Sequence, residues 1–435
     1  MKDMKGLLTI VLSALVFINI HAQVVANDSA ETGIDSKQTT FYSLATGQRT
    51  VTGNDNWHLA ISVRATQFPL SPIGGTTIRI NEAFGTKAYY VPNANAANFA
   101  GLDTTGYRNW MVLHDVDTAL DEGALNSNRD RTNVYDFGWG TYNASTHDVV
   151  GDSLYLIQLP NGELKKFWVV NLDRDTAFNI TYANLDNSDL QTIHISKKQY
   201  LGKAFVYMNL ADNTITDKEP FIPDWDLQFL KYSATDVIAG KNVSTVGVWL
   251  NKVASAAKRT NQDVLDNDYS GLNFSNNLNA IGWNWKYTGN SFSLLSGKNY
   301  FNYLEFYQIQ DSLTYFVRIK SGEVYKLVFT KYNATTGRIH FYKEKMEIAT
   351  GIEEKTLAQS SISLFPNPAT SVVNIVLPSS SALLRVMDIS GRLITETTAT
   401  ENIVQLNTSE FSSGVYLLQT TIGNKSVVHK FVVNK

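Results

Sequence analysis

The chain has 435 residues, and 37 lysines and arginines against 40 aspartates and glutamates leave a formal charge of −3. That balance excludes a nucleic-acid binder, or any polyanion binder, held by bulk charge. A hydrophobic content of 43% is enough for packed cores, the length suggests two to four domains, and the absence of cysteine removes disulfides, Cys-ligated zinc and thiolate catalysis together.

Lys2 and Lys5 precede an apolar run from Gly6 to Ile20, which ends at His21, Ala22 and Gln23. This is the pattern of an export signal over residues 1–22, cleaved after Ala22. No later window is apolar enough to span a bilayer, so the mature chain is expected to be secreted or surface-held, with no transmembrane segment.

Between Thr39 and Met346 apolar and polar residues alternate, and the apolar runs are rich in Val, Ile, Tyr, Phe and Thr. Period two predicts strands, for example over Ser153–Leu159, Leu164–Val170 and Tyr315–Ile319, and hence an all-β body. Val248–Lys258 is the exception and reads as one short helix. Two hairpins can be laid over each other, SLYLIQLPNGELKKFWVVNL from Ser153 and TYFVRIKSGEVYKLVFTKY from Thr314, with turns at PNGE and KSGE. Upstream, FYSLATG at Phe41 resembles YMNLADN at Tyr207, and WHLAISVR at Trp57 resembles WDLQFLKY at Trp225. FGWGTYN around Trp139 pairs with IGWNWKY around Trp283. Four colinear matches predict two tandem units, 38–198 and 199–348, followed by a linker over 349–360 and a separate domain over 361–435.

The order of Tyr42, Trp57, Gly74, Gly75, Tyr155, Gly162, Glu163 and Lys166 resembles the HmuY family of secreted haem-binding proteins. The resemblance implies two tandem HmuY-like β domains that take haem or another porphyrin into a cleft, without catalysis. Haem iron accepts His, Met, Tyr or Cys as axial donors. His114 and His147 lie in the long excursion between the Gly-Gly turn and the hairpin, where the founding member of that family carries a histidine pair. They are the expected cofactor-binding and iron-ligating residues. Met111 joins them because some relatives use methionines. Between Ser233 and Leu313 there is no His, Met or Cys, so the second unit is expected to be degenerate. His58, His194 and His340 fall inside strand patterns and read as ordinary core or surface residues.

Other readings stand beside this one. Asp115, Asp117, Asp121 and Glu122 form an acidic run that is either a calcium loop or simply solvated. The aromatics from Trp283 to Tyr307 are either core or a glycan-stacking face. No GxSxG, HExxH or P-loop spacing occurs, so no enzyme is expected, and the alternative to haem is a surface adhesion or glycan-binding protein.

The last segment differs from the rest. Phe365-Pro366-Asn367-Pro368, the Asp388–Arg392 turn, the Gly414–Leu417 strand and the final Lys430–Val433 resemble the type A sorting domain of the type IX secretion system. Its alternating runs predict a small Ig-like β-sandwich. The resemblance implies two partners, the type IX secretion machinery and its surface-anchoring protease.

Overall fold

A computed structural model describes residues 25–65, 72–236, 240–260, 267–288, 307–310, 312–346, 362–377, 380–389, 391–422 and 425–435. The expected signal segment and linker lie outside the described residues. Strands in chain order are β1 (Val25–Glu31), β2 (Gln38–Tyr42), β3 (Arg49–Gly53), β4 (Leu59–Ser62), β5 (Ile78–Ile80), β6 (Lys87–Tyr90), β7 (Val112–Leu113), β8 (Gly140–Asn143), β9 (Asp148–Gly151), β10 (Leu154–Gln158), β11 (Leu164–Asp173), β12 (Ala177–Asn184), β13 (Gln191–Ser196), β14 (Phe205–Asn209) and β15 (Thr214–Thr216). They continue with β16 (Leu227–Asp236), β17 (Lys241–Leu250), β18 (Ser255–Thr260), β19 (Lys286–Thr288), β20 (Tyr307–Ile309), β21 (Leu313–Arg318), β22 (Val324–Asn333) and β23 (Arg338–Met346). The C-terminal domain adds β24 (Ser363–Phe365), β25 (Val372–Val376), β26 (Ala382–Asp388), β27 (Leu393–Ala399), β28 (Ile403–Asn407), β29 (Gly414–Ile422) and β30 (Lys425–Val433). Among the described residues helical structure is confined to 3-10 turns of three or four residues, so the all-β expectation holds.

Two sandwiches make up the body. In the first, a sheet ordered β13-β12-β11-β10-β6-β7 packs on β15-β14-β4-β5. Leu59, Ile61, Tyr155, Phe167, Phe178 and Val206 fill the space between them. In the second, β1-β23-β22-β21-β18 packs on β17-β16-β2-β3, around Tyr42, Phe229, Val248, Tyr315, Phe329 and Phe341. Alternation explains the layering: Leu227 and Phe229 of β16 point into the core, whereas Leu230, Tyr232 and Ala234 join Trp249 on the other side.

The packing does not divide at residue 198. Strand β14 pairs with β4, so Val206 and Met208 belong to the first core. Strands β2 and β3 join the second sandwich through β16, and β1 closes it through a seven-residue ladder to β23. The two halves are interleaved rather than consecutive, because strand pairing selects partners by exposed edge and apolar face and not by proximity in the chain. The expected helix over Val248–Lys258 is instead the end of β17, a turn and the start of β18. Val246, Val248 and Leu250 alternate inward there, which is the periodicity of a strand.

Three of the four sequence matches correspond to equivalent places in the two sandwiches; in the fourth, Trp139 enters the first core, whereas Trp285 rather than Trp283 enters the second. Gly162 and Gly322 both close their hairpins at positive φ, 91° and 89°. A β-bulge interrupts β11–β12 between Val169 and Asn171, and another interrupts β22–β23 at the matching place, between Phe329 and Lys331. The Lys166 ammonium donates to the carbonyl of Ala100, and that of Lys326 to Asn267 Oδ1. Each lysine thereby ties a segment laid over the outer face of its own sheet, carrying Phe99, Tyr107 and Trp110 in one case and Tyr269, Leu272 and Phe274 in the other.

The C-terminal domain has its own core, with Val373, Ile375, Leu384, Val386, Leu418 and Phe431 between β24-β25-β28 and β27-β26-β29-β30. Asn367 of the Phe-Pro-Asn-Pro segment accepts from the Val432 amide, and the Ala369 amide bonds to the Val432 carbonyl, tying the motif to the last strand. The Asp388–Arg392 turn is closed by the Asp388 amide bonding to the Arg392 carbonyl, with Gly391 at φ 84°.

Candidate functional site

The residues expected to hold haem are not brought together. His114 follows β7, level with the Leu164 end of β11, because Leu113 pairs with Ala88, Ala88 with Ile157, and Ile157 with Lys165. His147 lies in the β8–β9 turn beyond the opposite end of β11, where Val149 pairs with Leu172 and the Arg174 amide bonds to Asp148. β11 has ten residues, so about 30 Å separates its ends at ~3.3 Å per residue. Two axial donors must flank one iron atom, so this pair is not an axial set.

Each residue also has other work. His114 Nδ1 pairs with Glu82 Oε1 at 2.7 Å, and that hydrogen bond raises its pKa, which favours the protonated ring over the neutral one a metal requires. His147 sits at φ 65° with its Nδ1 2.7 Å from the Tyr142 hydroxyl. Met111 has an exposed side chain, and its carbonyl accepts from the Tyr90 amide. The motif residues that carry the haem-family resemblance belong to the frame: Tyr42 bonds to Asp28, Tyr155 to the Leu125 carbonyl, and Lys166 to its covering segment.

The acidic run is consumed as a clasp. Asp115 pairs with Arg79 and accepts from the Ile80 and Ala124 amides. Asp117 accepts from the Thr235 amide and from Asn279, both of the second sandwich. Asp121 binds Arg64 and Lys252, and Glu122 binds Arg129 and Arg131. Its oxygens therefore join the two sandwiches, and among the described residues no cluster of three or more His, Asp or Glu side chains is arranged to hold a metal.

Two hollows are prominent. One lies in the seam where the four-stranded sheets meet back to back, among Trp57, Phe205, Tyr207, Lys218, Tyr232 and Trp249, and encloses only about 50 Å³. That is room for a few waters and far below the ~300 Å³ at which organic-ligand pockets begin. Glu219, buried there, accepts from the Ala204 and Phe205 amides and from the Tyr207 hydroxyl. Lys218 lies over the Trp57 and Tyr207 rings with its pKa pushed down to about 7 by burial. The other hollow, of about 700 Å³, opens at the outer end of the second sandwich and is lined by Glu31, Lys37, Lys331, Asn333, Arg338 and His340, among others. No local pattern in the sequence announces it, since its residues come from two distant segments, 31–38 and 331–340.

The aromatic run divides as well. Trp285 is buried and stacked on Phe329, with ring centroids 4.4 Å apart, while Tyr287 and Tyr307 are exposed. Phe292, Tyr300, Phe301, Tyr303 and Phe306 lie outside the described residues.

These features define an exported all-β protein of stacked sandwiches with a separate C-terminal domain. Residues 363–434 match the secretion system C-terminal sorting domain family, and they are the type IX sorting domain of this chain. The chain is thus exported by type IX secretion, to the cell surface or beyond it. No helix among the described residues is long and apolar enough to cross a membrane. A chain of PorZ from Porphyromonas gingivalis, described as an essential bacterial surface component of the type-IX secretion system, is similar at 11% identity over 68% of this chain, with a TM-score of 0.17. This chain spans 41% of that one. No curated protein sequence matches it.

Proposed function

We propose that the chain is a non-catalytic, surface-delivered binding protein of the adhesion or glycan-binding kind. The observation that supports this reading is the contrast between the two hollows. The seam is narrow, with room for a few waters only, whereas the hollow on the outer sheet end is solvent-facing, lined by polar and charged side chains and of ligand size. A porphyrin requires an apolar slot with an axial donor, and His114 and His147 lie at opposite ends of β11.

Titration of the mature chain with haem, followed by visible absorbance in both redox states, separates the readings. The expected result is a featureless, non-saturating trace, together with retention on a panel of immobilised glycans. A saturable Soret shift abolished by His114→Ala would overturn the proposal in favour of haem.

A further inference from the structure

We propose that the outer end of the β1-β23-β22 sheet is a binding site for an anionic saccharide, an assignment that rests on the glycan-binding reading above. The sheet register builds it. Lys331 lies opposite His340, Asn333 opposite Arg338, and Glu31 of β1 on the far side of Arg338. Tyr332, Ile339 and Phe341 pack at the core, so the alternate residues Lys331, Asn333, Arg338 and His340 share the outer face. The bulge between Phe329 and Lys331 sets this pairing, because the extra residue shifts Lys331 into line with His340. The turn after β1 supplies Lys37 and Gln38 as a further wall.

The charge is unbalanced. Lys37, Lys331 and Arg338 face the hollow; Glu31 pairs with Arg338 and Asp55 with Lys37, which leaves Lys331 as the excess cation. Lys37 is held only loosely by Asp55, at 3.8 Å. Among the described residues the Lys331 ammonium has no hydrogen-bond or ion-pair partner. Asn333, Thr336 and Gln38 stand beside these cations, and amides and hydroxyls next to lysine and arginine suit a ligand that carries both hydroxyls and an acidic group. A space of about 700 Å³ is of the size that takes one to three sugar rings.

The first sandwich is an internal control. Its equivalent bulge places Asn171 opposite Asn179, and Asn179 donates to Asn171 Oδ1 at 2.7 Å while its own Oδ1 lies 2.9 Å from His194 Nδ1. There the same geometry carries amides that satisfy one another. The same place on two related sheets is thus a closed neutral network in one and an open cationic face in the other.

The test is calorimetric titration of the mature chain with digalacturonate and 3′-sialyllactose, against lactose and inorganic phosphate as controls. Saturable binding of an acidic sugar is expected, weakened by salt and reduced roughly tenfold or more by Lys331→Glu. Lys331→Gln is expected to give a smaller loss, and Asn171→Glu in the first sandwich none; circular dichroism checks that each variant is folded. Equal binding of lactose or phosphate, no saturable binding of either acidic sugar, or indifference to Lys331→Glu each overturns the site. If a neutral glycan is retained while both acidic sugars fail, the glycan-binding reading stands and only this inference falls. Release of reducing ends from the acidic sugar would instead refute the non-catalytic reading and leave the site in place.

Discussion

His58 and Asp226 each follow the tryptophan that opens an inner strand, and they do one job with different chemistry. His58 Nδ1 accepts from the Leu210 amide at 2.9 Å, and Asp226 Oδ2 accepts from the Leu44 amide at 2.8 Å. Burial lowers the His58 pKa below its ordinary 6.5 and pushes the Asp226 carboxyl up to about 6. The signs oppose. His58 stabilises the fold fully above 6.5, and that contribution is lost as pH falls through its lowered folded value. Asp226 favours the fold most below its ordinary 3.8, and that contribution is lost as pH rises through 6. Asp226→Asn keeps a carbonyl acceptor for Leu44 without a buried charge. It should stabilise the protein by on the order of 1–3 kcal/mol at mildly alkaline pH, and by little or nothing below about pH 4, in denaturant titrations run at both. His58→Asn should flatten the acid side of the same profile.

At the scale of elements, buried charges position the loops. Lys166 is fully buried beneath the segment that holds Phe99 and Trp110, and it also bonds to Asn187. Lys166→Met leaves the Ala100 carbonyl and Asn187 without their donor, a loss of about 1–3 kcal/mol. Amide exchange should accelerate in residues 95–110 while the β4–β14 ladder stays protected. The clasp loop makes a second case. Asp117→Ala should cost a similar ~1–3 kcal/mol by freeing the Thr235 amide and Asn279, and adding calcium to the wild type should leave its melting temperature unchanged, because the carboxylates are already paired. A calcium-dependent rise in melting temperature would refute the clasp reading.

At the scale of the whole molecule, closure of the second sandwich depends on the first strand of the chain. β1 supplies seven ladder positions, buries Ala30 completely, and places Asp28 against Tyr42 and Arg49. Removing residues 23–31 strips one edge from β23. Hydrogen exchange should rise across β22 and β23 and leave β12 and β13 untouched, since β13 occupies the matching edge of the first sandwich from within the chain. Equal loosening of both sandwiches would contradict the interleaved arrangement.

The sequence by itself determined the all-β class, the two hairpins, the recurrence of four segments and the sorting domain, because alternation, glycine turns and a proline motif act over a few residues. It did not determine which strands pair. β2 and β14 resemble each other in sequence, yet each packs in the other half's sandwich, since a strand's periodicity fixes which face is buried and says nothing about whose edge it meets. The residues expected to hold haem are dispersed for the same reason. His114 and His147 share one excursion in the chain, but the sheet carries them to opposite ends of β11, while Lys37 meets the β22–β23 hairpin residues Lys331 and Arg338, far from it in sequence, at one sheet end. Proximity across a sheet is set by register and bulges, which are long-range pairings that only the folded chain establishes.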